Sequence, residues 1–307
     1  MIHIVPLCMT DITDLSERVH DLAATTSASK GPMLAPDIDL SSPAHQDLKH
    51  DATLGHASTL EHPVYDVLAH LELLFYAAND HMQAFSTLLG GEEPSWFGHI
   101  ALARAVVETS SRIWLIADPT IDVLERIRRH LLERQYELAH QGHLFGGPFK
   151  ALPQADYDAG KAHLDATRTS ILAWAAAAGI TVENGWVKGP RVRPSDLIID
   201  VFEDDAAATG TGQAAMLAAY HYNRLSAVAH GLPSGVSIYH QHAPVPGEQA
   251  HNVLTSADVG HVALAAVTAY NAGFDRLARY FRWPHPDLLP IRWAAIHQIR
   301  VLIDQTP

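Results

Sequence analysis

Apolar residues recur at spacings of three and four along most of the chain, which is the pattern of amphipathic α-helices. Ile12, Leu15, Val19 and Leu22 form one such stripe near the N-terminus. Similar stripes fall in segments bounded by proline, glycine or capping residues, at about 63–90, 95–118, 120–138, 157–178, 213–230, 256–281 and after Pro286. The pattern predicts an all-α fold, a bundle of about seven long helices.

One segment, 180–187, departs from the helical pattern. Its two short runs of β-favouring residues flank Asn184 and Gly185. Asn-Gly is the pair preferred in a two-residue type I′ hairpin turn, because both positions need a positive φ angle. We therefore expect a small β-hairpin at the edge of the bundle.

Residues 25–59 are rich in Ser, Pro, Gly, His and Asp and have little apolar periodicity. Such a composition does not bury enough apolar surface to form a core of its own. The sequence therefore predicts a flexible N-terminal arm over residues 1–60. Residues 61–307 are predicted to form a single helical-bundle domain.

Composition and charge narrow the class of protein. The chain has 307 residues, of which 48% are hydrophobic, but no apolar run reaches the about 18 residues that a membrane span requires. The N-terminus lacks the cationic flank of a signal peptide, and the single cysteine, Cys8, rules out a disulfide framework. We therefore expect a cytoplasmic protein. A formal charge of -13 disfavours DNA and membrane surfaces as partners.

The most suggestive motif is the segment Tyr222–Gly231, where polar residues crowd the end of an otherwise Ala- and Leu-rich helix. Arg224 and His230 are the two residues with obvious chemistry. Asn223 and Ser226 lie on nearly the same stripe as His230, at spacings of three and four. These four residues are the candidate catalytic group.

An arginine followed within six residues by a histidine near the end of a bundle helix resembles the active-site motif of HEPN-type helical proteins. The resemblance implies a metal-independent ribonuclease of a toxin or defence system, acting on RNA as a homodimer. It further implies that Arg224 stabilises the charge on the phosphate and that His230 transfers a proton or orients the 2′-hydroxyl. An imidazole suits the proton transfer because it titrates near neutral pH.

A group of arginines near the middle of the chain offers a second candidate site. Arg112 lies on one predicted helix, and Arg126 and Arg129 lie on the next. Together they would suit a small anionic ligand or a phosphate. The alternative is a solvated face on which the arginines form ion pairs.

A metal site is a further alternative. Two carboxylate-x-x-His pairs, with Glu72 and Glu108 on other predicted helices, give an arrangement similar to the di-iron site of ferritin-like bundles. The two pairs are Glu137 with His140 and Asp258 with His261. Beyond this arrangement the sequence leaves the cofactor unknown.

The remaining alternative is a non-catalytic helical module that binds a small molecule or a protein partner. It requires a cavity or an exposed apolar face, and neither has a sequence signature as compact as a catalytic motif. The nuclease and the module differ in what a change of His230 would do. In a nuclease it would remove activity, whereas in a module a packed histidine would contribute only to stability.

Overall fold

The computed structural model describes residues 9–33, 37–51, 63–91, 97–189, 194–209, 214–230, 240–241, 251–252, 255–283 and 288–304. Across these ranges the chain forms ten α-helices, so the predicted all-α class is confirmed. The helices are α1 (Met9–Ser29), α2 (Pro43–Asp51), α3 (Pro63–Leu89), α4 (Gly98–Ile116), α5 (Val123–Gly146), α6 (Gln154–Ala177), α7 (Pro194–Thr209), α8 (Ala214–Ala229), α9 (Ser256–Phe281) and α10 (Leu289–Asp304). A short 3₁₀ turn, Pro148–Ala151, joins α5 to α6.

The predicted hairpin is confirmed. Strands β1 (Val182–Glu183) and β2 (Trp186–Val187) pair antiparallel. The two turn residues, Asn184 and Gly185, have φ angles of 52° and 75°, as a type I′ turn requires. A second short antiparallel pair, β3 (His240–Gln241) with β4 (His251–Asn252), follows α8.

The centre of the molecule is the packing of α4 between α3 and α9. A buried hydrogen bond of 2.7 Å, from the Tyr270 hydroxyl to the Asn79 Oδ1, ties α9 to α3. Helix α9 lies close against α4 at Gly273, where an added Cβ would be 2.7 Å from the carbonyl oxygen of Ser110. Only glycine fits this crossing, because the obstacle is backbone and not a movable side chain.

Helix α1 lies within the segment that the sequence assigned to a flexible arm. Its apolar stripe, including Leu15 and Val19, is completely buried and belongs to the same core as α3 and α9. The Ser16 hydroxyl also donates to the Ser86 carbonyl at 2.7 Å, and α10 packs on the helix from the other side. Because the apolar stripe of α1 is buried in this way, the helix packs on the bundle and is part of its core.

Helix α2 was not predicted, because its sequence is polar and lacks an apolar stripe. It begins at Pro43 after Ser42, whose hydroxyl accepts a hydrogen bond from the His45 N–H at 3.1 Å and so caps the first turn. One turn later, Asp47 is buried. The carboxylate of Asp47 accepts hydrogen bonds from Arg126 and from Tyr280, each at 2.8 Å, so polar contacts hold this helix to the core.

Two helix starts differ from the sequence prediction. Helix α5 begins after Asp122, whose carboxylate accepts from the Glu125 N–H at 2.8 Å, and not at Thr120. The N-cap of α4 is Phe97, and Ser95, the predicted cap, lies outside the described residues. None of the described helices has the length and apolar character needed to cross a membrane.

Candidate functional site

The predicted catalytic arginine, Arg224, is held by a carboxylate. Its guanidinium hydrogen-bonds Asp258 in the first turn of α9, and its side chain is only 9% exposed. The other oxygen of Asp258 accepts from the Thr255 N–H at 3.0 Å, in a capping box that fixes the start of α9. The charge of Arg224 is therefore balanced inside the protein, where it links α8 to α9.

His230, at the end of α8, lies beside a different arginine. Its Nε2 is 2.9 Å from the Nη1 of Arg104 on α4. Arg104 in turn donates to Glu108 at 2.8 Å, and the Tyr222 hydroxyl donates to the same carboxylate oxygen at 3.0 Å. Burial, together with the Glu108 charge, raises the pKa of Tyr222 to about 12, so this phenol keeps its proton.

The remaining members of the predicted group stay near the surface of α8. Asn223 is exposed and Ser226 is half-buried, while His230 is exposed at the end of the helix. The structure therefore brings His230 together with Arg104 and Glu108, and directs Arg224 to Asp258. Sequence reasoning missed Arg104 because it lies 126 residues from His230.

The three predicted anion-binding arginines all have internal partners. Arg126 is 1% exposed and binds Asp47, with two backbone carbonyls as further acceptors. Arg112 faces Glu133 at 3.4 Å, and Arg129 donates to Glu125 at 2.9 Å. An incoming anion would have to displace these carboxylates.

The predicted metal ligands lie apart. Glu72 binds Lys30 at 2.9 Å, and Glu108 binds Arg104, so two of the carboxylates already neutralise a cation. Asp258 likewise binds Arg224, and the ring of His261 stacks on that of His221. The other pair, Glu137 and His140, is exposed on α5. In the described part of the chain, no three His, Cys, Asp or Glu side chains are grouped so that they could hold a metal ion.

A cavity of about 770 Å³ lies between the end of α4, α5, the hairpin and the start of α7. Its apolar wall combines aromatic and aliphatic side chains from these elements, namely Trp114, Leu115, Leu132, Tyr136, Trp186 and Val187. Two of the aromatic residues are unusually accessible, with Trp186 41% exposed and Tyr136 40% exposed. Large exposed aromatic surface beside a cavity is typical of binding sites.

A buried glutamine fixes the hairpin that forms one side of this cavity. The Gln135 Oε1 accepts from the Val187 N–H at 2.9 Å, and its Nε2 donates to the Gly185 carbonyl at 3.4 Å. Both ends of the amide are thus used to hold β2 and the turn against α5. Trp186, between the two bonded residues, is positioned by backbone contacts.

The polar wall of the cavity carries more negative than positive charge. It contains five carboxylates (Asp118, Glu125, Glu133, Asp196 and Asp200) and two arginines (Arg128 and Arg129). Hydrogen bonds from Arg128 lower the pKa of the Glu125 carboxyl, with Arg129 adding to the effect. Burial raises the pKa of Glu133 and of Asp200, and for Asp200 the neighbouring Glu203 and Asp196 act in the same direction.

Two histidine pairs, each with one buried member, lie outside the cavity lining. His130 is completely buried, with its Nε2 2.8 Å from the Asp66 carboxylate and its Nδ1 3.0 Å from the Nδ1 of His70. Burial, then the charges of His130 and Arg134, lower the pKa of His70 to about 3. In the second pair, burial and then His261 and Arg224 lower the pKa of His221 to about 4.

Comparisons with known proteins give no relative for this chain. No family model matches it. No curated protein and no solved structure matches it either.

Proposed function

We propose that the chain is a helical binding protein that holds a small molecule in the cavity between α4, α5, the hairpin and α7. The observation that supports this most is the cavity of about 770 Å³ itself, whose lining combines aromatic side chains with carboxylates. Small-molecule sites in proteins typically measure about 300–1,000 Å³ and combine apolar walls with a few polar groups.

The exposure of Trp186 and Tyr136 supports the same proposal. Leaving large aromatic side chains accessible forgoes stabilisation of about 25 cal/mol for each Å² of apolar surface that could be buried. A ligand that covers these rings would recover that stabilisation on binding. The clamp of Gln135 on the hairpin adds to this, because a wall that is already in place loses little conformational freedom when the ligand arrives.

The first test uses Nile red, an uncharged dye that fluoresces when it enters an apolar site. We expect Leu132→Trp to weaken dye binding about tenfold or more, because the larger ring fills the cavity that Leu132 lines. Binding is measured by fluorescence titration at constant protein concentration, with circular dichroism to confirm that each protein is folded.

Leu73→Trp is the matched control. Leu73 is 67% exposed on α3 and does not line the cavity, so the same substitution there should leave dye binding unchanged. If the wild-type protein binds no dye, or if both variants bind it equally well, the cavity does not act as a binding site and the proposal fails.

A ribonuclease stays the second candidate, as the HEPN resemblance implied, and one contact favours it. The exposed His230 lies 2.9 Å from the Nη1 of Arg104, so a cation and an imidazole meet at the surface. A phosphate could contact the guanidinium while the imidazole accepts a proton, which are the two roles that RNA cleavage needs. In this arrangement Arg104 takes the role that the resemblance implies for Arg224.

The test of this candidate is cleavage of a labelled single-stranded RNA in the presence of EDTA. If the candidate is right, His230→Ala lowers the cleavage rate about 100-fold or more, the usual contribution of a positioned acid or base. His163→Ala, at an exposed histidine on α6, serves as the control. Equal cleavage by the two variants, or none by the wild-type protein, would remove the ribonuclease from consideration.

A further inference from the structure

We infer that the ligand of the cavity is an organic cation, an amine or quaternary ammonium group carried on an aromatic or apolar body. This inference rests on the proposed function, since it names the class of molecule that the same cavity would hold. It follows from the balance of charge in the wall, from the placement of the acidic residues on α7, and from the cations that already contact the two tryptophans of the wall.

Both arginines of the wall are already neutralised. Arg128 and Arg129 each donate to Glu125, and Arg129 also lies 3.6 Å from Asp118. Asp118 has a second partner outside the wall, Arg276, at 3.0 Å. Two carboxylates therefore satisfy the two arginines, and Glu133 has Arg112 as its partner outside the wall, so the negative charges of Asp196 and Asp200 remain to be balanced.

One unpaired guanidinium nitrogen of the wall is closed off from an anion. The Nη1 of Arg128 has no hydrogen-bond partner among the described residues, but it is buried. It lies against Gly189, where an added Cβ would be only 1.7 Å away. A ligand in the cavity cannot reach this nitrogen, so the wall offers no accessible, unpaired cation within the described residues.

The remaining acidic groups are placed where a ligand can reach them. Asp196 and Asp200 lie one turn apart on α7, and both are exposed. The neighbouring charges that act on Asp200 are those of Glu203 and Asp196, both negative, so no cation of the described residues neutralises it. Glu133 lies deeper on α5, with Arg112 at 3.4 Å as its partner outside the wall. An ammonium group between these helices would meet two or three carboxylates.

The two tryptophans of the wall already contact cations. The Cζ of Arg276 lies 3.5 Å from the ring centroid of Trp114, and the Cζ of Arg168 lies 5.9 Å from that of Trp186. Indole faces attract ammonium and guanidinium groups because the ring quadrupole is negative there. Aromatic rings together with unpaired carboxylates are the chemistry that binds amines and quaternary ammonium ions. The raised pKa values of Glu133 and Asp200 agree with this, because a bound cation would favour their charged forms.

The test compares three probes of one shape, naphthalene-2-methylamine, naphthalene-2-methanol and 2-naphthoate, which are cationic, neutral and anionic at pH 7. Each is titrated against the Nile red complex of the full chain, and displacement of the dye is measured. We expect the amine to bind about tenfold more tightly than the alcohol, with the carboxylate weakest. Asp196→Asn together with Asp200→Asn should reduce the advantage of the amine and leave binding of the alcohol unchanged.

Asp14→Asn together with Glu17→Gln, at exposed positions on α1, removes the same net charge far from the cavity and should leave the preference intact. If the alcohol or the carboxylate binds as tightly as the amine, the inference of a cation is overturned and the cavity remains a binding site. If the preference for the amine is unchanged in the variant with Asp196→Asn and Asp200→Asn, these two carboxylates do not bind the cation and their assignment is overturned. If neither the dye nor any probe binds, the proposed function itself fails.

Discussion

Arg126→Met is expected to lower the free energy of unfolding by about 3–5 kcal/mol, the usual cost of removing one partner from a buried ion pair. The change leaves the carboxylate of Asp47 buried without its cation, and it removes the donors to the carbonyls of Ile116 and Ile121. It also removes the guanidinium that lies 4.0 Å from the ring centroid of Tyr280. Urea unfolding at pH 7, followed by circular dichroism, measures the loss.

Arg18→Met, at an exposed position on α1, is the control and should change stability by less than about 0.5 kcal/mol. Asp47→Asn added to Arg126→Met removes the unpaired charge, so the double variant should recover part of the loss. A cost below about 1 kcal/mol for Arg126→Met would show that water reaches this carboxylate and that the pair is not truly buried.

The second large effect is a loss of stability in mild acid. His70 and His221 have folded pKa values of about 3 and about 4, whereas an unfolded histidine titrates near about 6.5. As the pH falls below about 6.5, these histidines therefore bind protons in the unfolded chain but stay neutral in the folded chain. The stability that these residues contribute is complete above that pH and is lost as the pH falls toward 4. Each histidine should contribute a slope of about 1.4 kcal/mol per pH unit, measured by urea unfolding between pH 7 and pH 4.5.

His221→Phe isolates one of these contributions. The phenyl ring can keep the stacking on His261, and the buried Nε2 of His221 has no hydrogen-bond partner in the described residues, so little is lost at neutral pH. The variant should show a shallower decline than the wild type, by about 1.4 kcal/mol per pH unit. His163→Phe, at an exposed histidine on α6, should keep the wild-type slope. Parallel curves for His221→Phe and the wild type would mean that His221 titrates normally in the folded protein.

The parts of the fold that depend on neighbouring residues could be predicted from the sequence. The hairpin follows from Asn184–Gly185, because a two-residue turn with positive φ angles is a local requirement. Helix α9 has the predicted bounds, Ser256–Phe281, because Thr255 and Asp258 form a capping box at its start. Helix α2 could not be predicted, since Asp47 holds it through a residue 79 positions away.

The candidate sites were less accessible to sequence reasoning, because each is assembled from distant segments. Arg224 and Arg126 both belong to the predicted sites, yet each is paired inside the protein. The sequence around an arginine does not show which carboxylate the fold will place beside it. The cavity takes its lining from four elements, and Trp186 and Asp200, which are central to it, belong to no motif.

The close crossing at Gly273 has a consequence for finding relatives of this chain. The carbonyl of Ser110 leaves no space for a side chain at that point, so the two central helices can keep their separation only if position 273 stays glycine. Surface residues, and even the cavity wall, can change during evolution without disturbing this geometry. A distant homologue should therefore be recognisable by a glycine about eight residues before the end of the helix that corresponds to α9, opposite a small residue on the helix that corresponds to α4.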